Sequence, residues 1–370
     1  MAGAEDKAVA METVLELLSG PGNPRNSEGS FVSLADGRIL YVYTRYNGTS
    51  WADHASADLA SRESRDGGRT WSGADRIVLA NEGSANIMSV SLLRLQDGRI
   101  ALVYLRKDVQ ADGSTTCLPW LRFSCDEAET WSAPQKAVHF PGYCVVNNDR
   151  LTQLSSGRLL IPIGFHRYTA FRKENDYTVT IDGRSVACFQ YSDDGGATWQ
   201  EAAQWVYPAV GSSRSGLQEP GVVELRDGRL LAWFRTDQGC QYKAYSADFG
   251  MTWSPAVPAP EFLSPTAPLS MRRCPRSGRL LAVWCDHSPY WKLAREPQAS
   301  WGRTPLALAW SDDDGRSWCD HQLLETDPSA GFCYTAIHFA ADAVLLGYCC
   351  GGKARGTAVL QDSRLVRIPL

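Results

Sequence analysis

No apolar run in this 370-residue chain approaches the ~18 residues that a membrane-crossing helix needs. Positive charge is not in excess: 37 Lys and Arg stand against 41 Asp and Glu, a net charge of −4. That balance argues against nucleic acid as the main partner, because phosphate binding needs a basic face. The opening residues, Met1-Ala2-Gly3-Ala4-Glu5-Asp6, lack the basic and apolar stretches of a secretory leader. None of the eleven cysteines forms a CxxC pair, so neither a zinc site nor a redox motif is indicated, and no cofactor is implied. The simplest reading is a reduced, intracellular protein whose thiols serve as small core residues. Apolar residues, by contrast, make up 44% of the chain, ample for a large core and incompatible with disorder.

Two short patterns recur. The first is a tight-turn signal between apolar runs: Asp36-Gly37-Arg38, Asp97-Gly98-Arg99, Ser156-Gly157-Arg158, Asp227-Gly228-Arg229 and Ser277-Gly278-Arg279. A degenerate sixth copy, Asp342-Ala343, has lost its glycine. Asp-Gly or Ser-Gly supplies the positive φ of a hairpin turn, and the flanks have strand composition. The second pattern is Ser-x-Asp-x-Gly-x-Thr-Trp, complete at Ser64–Trp71, Ser192–Trp199 and Ser246–Trp253 and nearly so at Ser124–Trp131 and Ser311–Trp318. Its Asp can accept backbone N–H bonds, its Gly takes φ > 0, and its Trp caps an apolar layer.

The patterns alternate, one pair per ~60 residues, the period of a four-stranded blade with loops. Six turns in 370 residues predict an all-β, six-bladed β-propeller of four-stranded antiparallel blades over residues 22–370. Residues 1–21 read as a helical segment packed on it: Val9, Met11, Val14, Leu15 and Leu18 share a stripe, and Gly20-Pro21 ends it.

In each blade the inner strand runs into the Asp-Gly turn and the third runs into the box, so both turn types share one face. Counting back eight residues from each turn, about one strand length at ~3.3 Å per residue, reaches Glu28, Ser89, Asn148, Glu219, Leu269 and Tyr334. These should ring the mouth of a central funnel. Five of the six are polar, which strand starts beside an axis rarely are unless paired or used. On the same rim fall Arg235 at the end of a second strand, Arg303 at the start of a third, and Asp53 in the loop 46–57.

The repeated box resembles the Asp-box of the sialidase (neuraminidase) superfamily over most of the chain. That resemblance implies three arginines holding a substrate carboxylate, a Tyr nucleophile paired with a Glu, and an Asp acid/base. Gln218-Glu219-Pro220-Gly221 followed by Arg235 is similar to the stretch with the paired Glu and second arginine. Arg303 and, beyond a box, Tyr334 are similar to the third arginine and the nucleophile. Asp53 matches the acid/base, and Arg25 takes the place of the first arginine. A neutral Tyr avoids the repulsion that a carboxylate nucleophile would meet beside the sugar's own carboxylate, and arginine's planar fork suits the clamp.

The chain also departs from the family. Pro24-Arg25-Asn26-Ser27-Glu28-Gly29 replaces the usual Arg-Ile-Pro, and blade three adds Asn148, Asp149, Arg150 and His166 as further substrate contacts. The expectation is an exo-acting glycoside hydrolase that releases a terminal acidic sugar from a glycan. A related propeller glycosidase for another sugar, inverting through two of Glu28, Asp53, Asp149 and Glu219, and a non-catalytic binding propeller remain open.

Overall fold

The computed structural model describes residues 11–173, 176–293 and 300–370. It is all-β, with a short 3₁₀ turn at Lys353–Arg355. Five four-stranded antiparallel units follow one another along the chain. The first comprises Asn26–Ser33, Ile39–Tyr46, Ala57–Ser64 and Arg76–Leu79, and the second Asn86–Arg94, Ile100–Val109, Thr115–Ser124 and Gln135–Lys136. The third is Thr152–Gln153, Leu159–Lys173, Asp176–Ser192 and Gln200–Glu201; the fourth Gln218–Glu224, Leu230–Arg235, Cys240–Ser246 and Val257–Leu263. The fifth is Ser270–Arg273, Leu280–Cys285, Leu306–Ser311 and Cys319–Glu325. Sheets two and three are bridged by Tyr143–Val145, which pairs with both.

A sixth unit has three strands from the end of the sequence, Cys333–Phe339, Ala343–Cys350 and Asp362–Pro369, and a fourth from its start, Glu12–Leu17. This corrects the helix expected within residues 1–21; the part of it before residue 11 lies outside the described residues. The reason is tertiary. Asp362–Pro369 would otherwise present an open sheet edge, and pairing Glu12 with Arg367 through Leu17 with Ser363 fills it. A short amphipathic segment has too little intrinsic helicity to resist such an edge. Leu18, placed on the apolar stripe of the helix, is exposed, whereas Leu17 is buried.

The inner strands touch in sequence. Leu92 N donates to Ser30 Oγ between sheets one and two, and Asp149 N donates to Val90 O between two and three. Thr152 Oγ1 donates to Val222 O, Trp233 Nε1 to Leu269 O, and Ser270 Oγ to Thr335 O. Glu28 N reaches Cys349 Sγ, between sheets one and six. The apolar core is divided the same way, into layers between consecutive sheets. In the fourth sheet Leu230, Ala232 and Phe234 face sheet three while Leu231 and Trp233 face sheet five, the period-two alternation of a strand buried on both sides.

The boxes behave as self-closed turns. Thr70 N and Thr70 Oγ1 donate to the Asp66 carboxylate, and Gly68 N donates to Ser64 Oγ. Where the second box has Ala128 for Gly, the residue still adopts φ 65°. Arginines at or beside three of the turns lace a sheet to the box of the next: Arg99 donates to Gly195 O, Arg158 to Phe249 O and Arg226 to Asp312 O.

Candidate active site

On the face opposite the boxes, the inner strands share one distortion. Glu28, Ser89, Glu219 and Tyr334 have φ of 51°, 58°, 45° and 60°, and the strand register skips at each of them. A bulge of this kind re-aims one side chain out of the ladder, and positive φ in a non-glycine residue costs on the order of 1–3 kcal/mol. Packing holds the distortion in place. The Trp233 ring lies so close to Gly221 that a Cβ there would sit 2.1 Å from it, and Tyr41 crowds Gly29 in the same way at 2.3 Å. In the third sheet the positive φ falls on Asp149, one residue beyond Asn148, because the inner strand there is reduced to Thr152–Gln153.

Sheets four to six bring Glu219, Arg235, Tyr334 and Arg303 together. Arg235 Nη1 donates to Glu219 Oε1 at 2.8 Å, and the Tyr334 hydroxyl donates to the same oxygen at 3.2 Å. Glu219 Oε2 is buried without a partner among the described residues. Burial and then the Glu219 charge push the Tyr334 hydroxyl well above the ordinary tyrosine value, against the pull of Arg303 and Arg235. Burial opposes the charge of Arg235, yet Glu219 and Tyr334 hold its pKa above the usual arginine value. Arg303 is buried, lies over the rings of Tyr334 and Trp301 at 5.3 and 5.7 Å, and donates to Cys333 Sγ at 2.9 Å. No carboxylate forms an ion pair with it among the described residues. A buried guanidinium without a counter-charge is a standing invitation to an anion.

The first two sheets supply the other half. Arg25 is buried, with its guanidinium over the Tyr46 ring at 4.8 Å. Its Nη1 is bonded to Asp53 Oδ1, and its Nη2 lies 3.5 Å from Glu28 Oε1. Ser89 Oγ donates to Glu28 Oε2. Asp53 is additionally fixed through its backbone carbonyl, which accepts from Asn86 Nδ2 at 2.8 Å and Lys107 Nζ at 2.9 Å. Lys107 escaped the sequence reading, although it stands opposite Asn86 at the rim end of a second strand, the kind of position that singles out Arg235. Tyr143 was missed too; its hydroxyl lies 3.2 Å from His54 Nε2 and its ring 6.0 Å from Lys107 Nζ.

Four further residues are turned to the protein itself. Asn148 Nδ2 donates to Gly29 O and Tyr334 O, and Arg150 Nη2 donates to Leu269 O. Asp149 accepts from Ser30 Oγ, Arg272 Nη2 and Ile337 N, tying four sheets. Burial pushes the Arg150 pKa down to about 10, against the charges of Asp149 and Glu219. His166 is buried edge-on to Tyr143 with Nδ1 against Asp182 O at 2.8 Å, and burial lowers its pKa. Among the described residues no group of three His, Cys, Asp or Glu side chains is arranged to hold a metal ion.

The comparisons with known proteins agree with this architecture. The anhydrosialidase of Macrobdella decora is 30% identical over 147 residues, a stretch that is 37% of this chain and 16% of that protein. A protein of unknown function from Dyadobacter fermentans superposes with a TM-score of 0.71 at 17% identity, covering 97% of this chain and 99% of that one. The NanB sialidase of Streptococcus pneumoniae superposes with a TM-score of 0.69 at 14% identity, over 97% of this chain and 70% of that one. The BNR repeat-like domain family matches residues 90–347. With its repeated boxes, its serial four-stranded sheets and that match, the chain belongs to the BNR repeat-like domain family.

Proposed function

We propose that the six sheets close into a six-bladed propeller and that its rim is the active site of a glycoside hydrolase of sialidase type, releasing a terminal acidic sugar from a glycan. The observation that carries this reading is the contact of Tyr334 with Glu219 between two buried arginines. A phenol held neutral by burial is a poor nucleophile alone, but Glu219 is placed to take its proton as the oxygen attacks the anomeric carbon. The negative charge this leaves lies beside Arg235 and Arg303, which also suit the sugar's carboxylate. The leaving oxygen needs a proton, for which the first sheet offers two carboxyl groups, Asp53 and Glu28.

A second reading, hydrolysis of a different sugar, is favoured by Arg25. In the sialidase pattern it would hold the substrate carboxylate, yet here it is already bonded to Asp53 and lies against Glu28. Turnover of a fluorogenic α-sialoside, compared between the wild type and Tyr334→Phe, separates the two. The sialidase reading expects release that falls about 10²–10⁴-fold in the variant, the range a positioned proton-transfer pair contributes. Absence of release by the wild type, with turnover of a neutral or uronic glycoside, would favour the other sugar.

A further inference from the structure

Resting on the glycosidase reading above, we propose that the long hairpin of the third sheet builds a binding site for the leaving-group side of the glycan, a cleft beside His54 that takes a neutral sugar ring. Strands Leu159–Lys173 and Asp176–Ser192 have 15 and 17 residues, whereas the second strands of the other sheets have 6 to 10. Tyr143–Val145 accompanies the hairpin only as far as His166. Six further residue pairs, Tyr168 with Ile181 through Lys173 with Asp176, continue beyond it with no neighbouring strand among the described residues. An unflanked two-stranded ribbon is marginal by itself, so its place depends on what it touches. Tyr168 Oη donates to Thr115 O of the second sheet at 2.9 Å, and the Tyr168 and Ile181 side chains pack against the core between sheets two and three.

Pinned there, the hairpin encloses a cleft of about 220 Å³ with the second sheet. Ser114 and Thr115 line it from that sheet and Tyr168 and Ile181 from the hairpin, together with Tyr143 and His54. His54 directly follows Asp53, so the cleft begins one residue from the loop carboxylate. Its position suits a leaving group. In the reading above the anomeric carbon meets Tyr334, and the leaving oxygen takes its proton from the first sheet. Asp53 is the outer carboxyl there, its side chain 67% exposed against 6% for Glu28. What hangs on the leaving oxygen therefore leaves the funnel past Asp53, toward His54 and the hairpin.

The lining selects the class of ligand. Tyr143 and Tyr168 supply aromatic surface, and Ser114 and Thr115 supply hydroxyl groups, a combination that suits the C–H face and the hydroxyls of a pyranose. Among the described residues no Asp, Glu, Lys or Arg lines the cleft. The His54 ring, with Nε2 3.2 Å from the Tyr143 hydroxyl, has its pKa lowered by burial and then by the Lys107 charge, so it is neutral at pH 7. The Lys107 ammonium lies 6.0 Å from the Tyr143 ring but is bonded to the Asp53 carbonyl. An acidic ring would find no counter-charge in the cleft, whereas the funnel offers it Arg235 and Arg303. The substrate is thus divided, with its acidic sugar on the arginines and a neutral one under the hairpin.

The experiment compares the full-length wild type with Ile181→Trp, which fills the cleft from the hairpin. Ser114→Trp fills it from the opposite wall and serves if the first variant does not fold. Two substrates are used: sialyllactose, whose leaving group is a neutral disaccharide, and α-sialyl fluoride, whose leaving group is a single atom. The ratio of kcat/KM on sialyllactose to that on the fluoride should fall about 10-fold or more in either variant, the loss of one to two hydrogen bonds. A ratio that stays level overturns the proposal. Saturation-transfer NMR with lactose alone should show binding to the wild type that both variants lose, while any signal from digalacturonate, an acidic sugar, survives them. Absent lactose binding, lactose binding that persists in the variants, or loss of a digalacturonate signal instead overturns the assignment. Because lactose binding needs no turnover, failure of the sialidase reading shows separately, as absent turnover of both sialosides with the lactose signal unchanged.

Discussion

Both faces of this molecule carry carboxylates repeated from sheet to sheet, and they use them in opposite ways. On the box face each Asp is bonded to atoms within four residues of itself, as Asp66 is to Ser64 and Thr70. Those bonds, the Thr70 hydroxyl first, lower the Asp66 pKa to about 2. On the rim each carboxylate meets groups from distant segments: Glu219 touches Arg235 and Tyr334, and Glu28 touches Ser89 of the neighbouring sheet. The lesson is that local bonding fixes a carboxylate in its ionised form and ends its chemistry. Long-range bonding leaves a carboxylate in contact with groups of several sheets, where it can act on them.

Three substitutions would break or sharpen that contrast. The largest effect belongs to the rim. Arg303→Gln removes a buried cation that has no ion pair among the described residues, and should raise KM for an acidic sugar about 10–100-fold, the loss of one charge-assisted hydrogen bond. Steady-state kinetics checks this, and a KM that stays level would remove Arg303 from substrate contact. Next comes Gly221→Ala, which drives a methyl into the Trp233 ring. Overpacking of this kind should cost about 1–3 kcal/mol in denaturant unfolding, with a fall in kcat as the Glu219 bulge shifts.

The smallest effect should come from the box face. Asp248→Ala breaks a single turn and should cost about 1 kcal/mol at most, given its partial exposure, with kcat unchanged. The pH dependence separates the faces further. Asp66 has a depressed pKa in the folded state, so its contribution is present above the unfolded value and is lost as pH falls from about 4 through about 2. Thermal midpoints followed between pH 6 and pH 2.5 should therefore hold their box contribution until well after activity has changed. A rise in stability on acidification across that window would contradict the sign.

The box face was legible in the sequence because its information is local: five near-identical octapeptides and six turns each fold on themselves. Glu219, Arg235 and Tyr334 were reachable by register, since an eight-residue count works wherever the inner strand is full length. It slips by one in the third sheet, where that strand is only Thr152–Gln153. Asn148 Nδ2, the Asp149 carboxylate and Arg150 Nη2 are bonded to backbone and side chains of other sheets, which no pattern in the sequence reports. The bonding of Asp53 to Arg25 was likewise hidden, because it joins a loop to a strand start through side chains alone. Glu12–Leu17 was misread as helix because its apolar spacing suits either element and only the distant edge of Asp362–Pro369 decides.

That same pairing sets an order of events during synthesis. Glu12–Leu17 is made before the other five sheets, whereas its partner strand Asp362–Pro369 is made after them. It must wait while five sheets form, and the sheet that bears Tyr334 keeps a bare edge until then. The sheet that bears Tyr334 is thereby the last of the six to be completed.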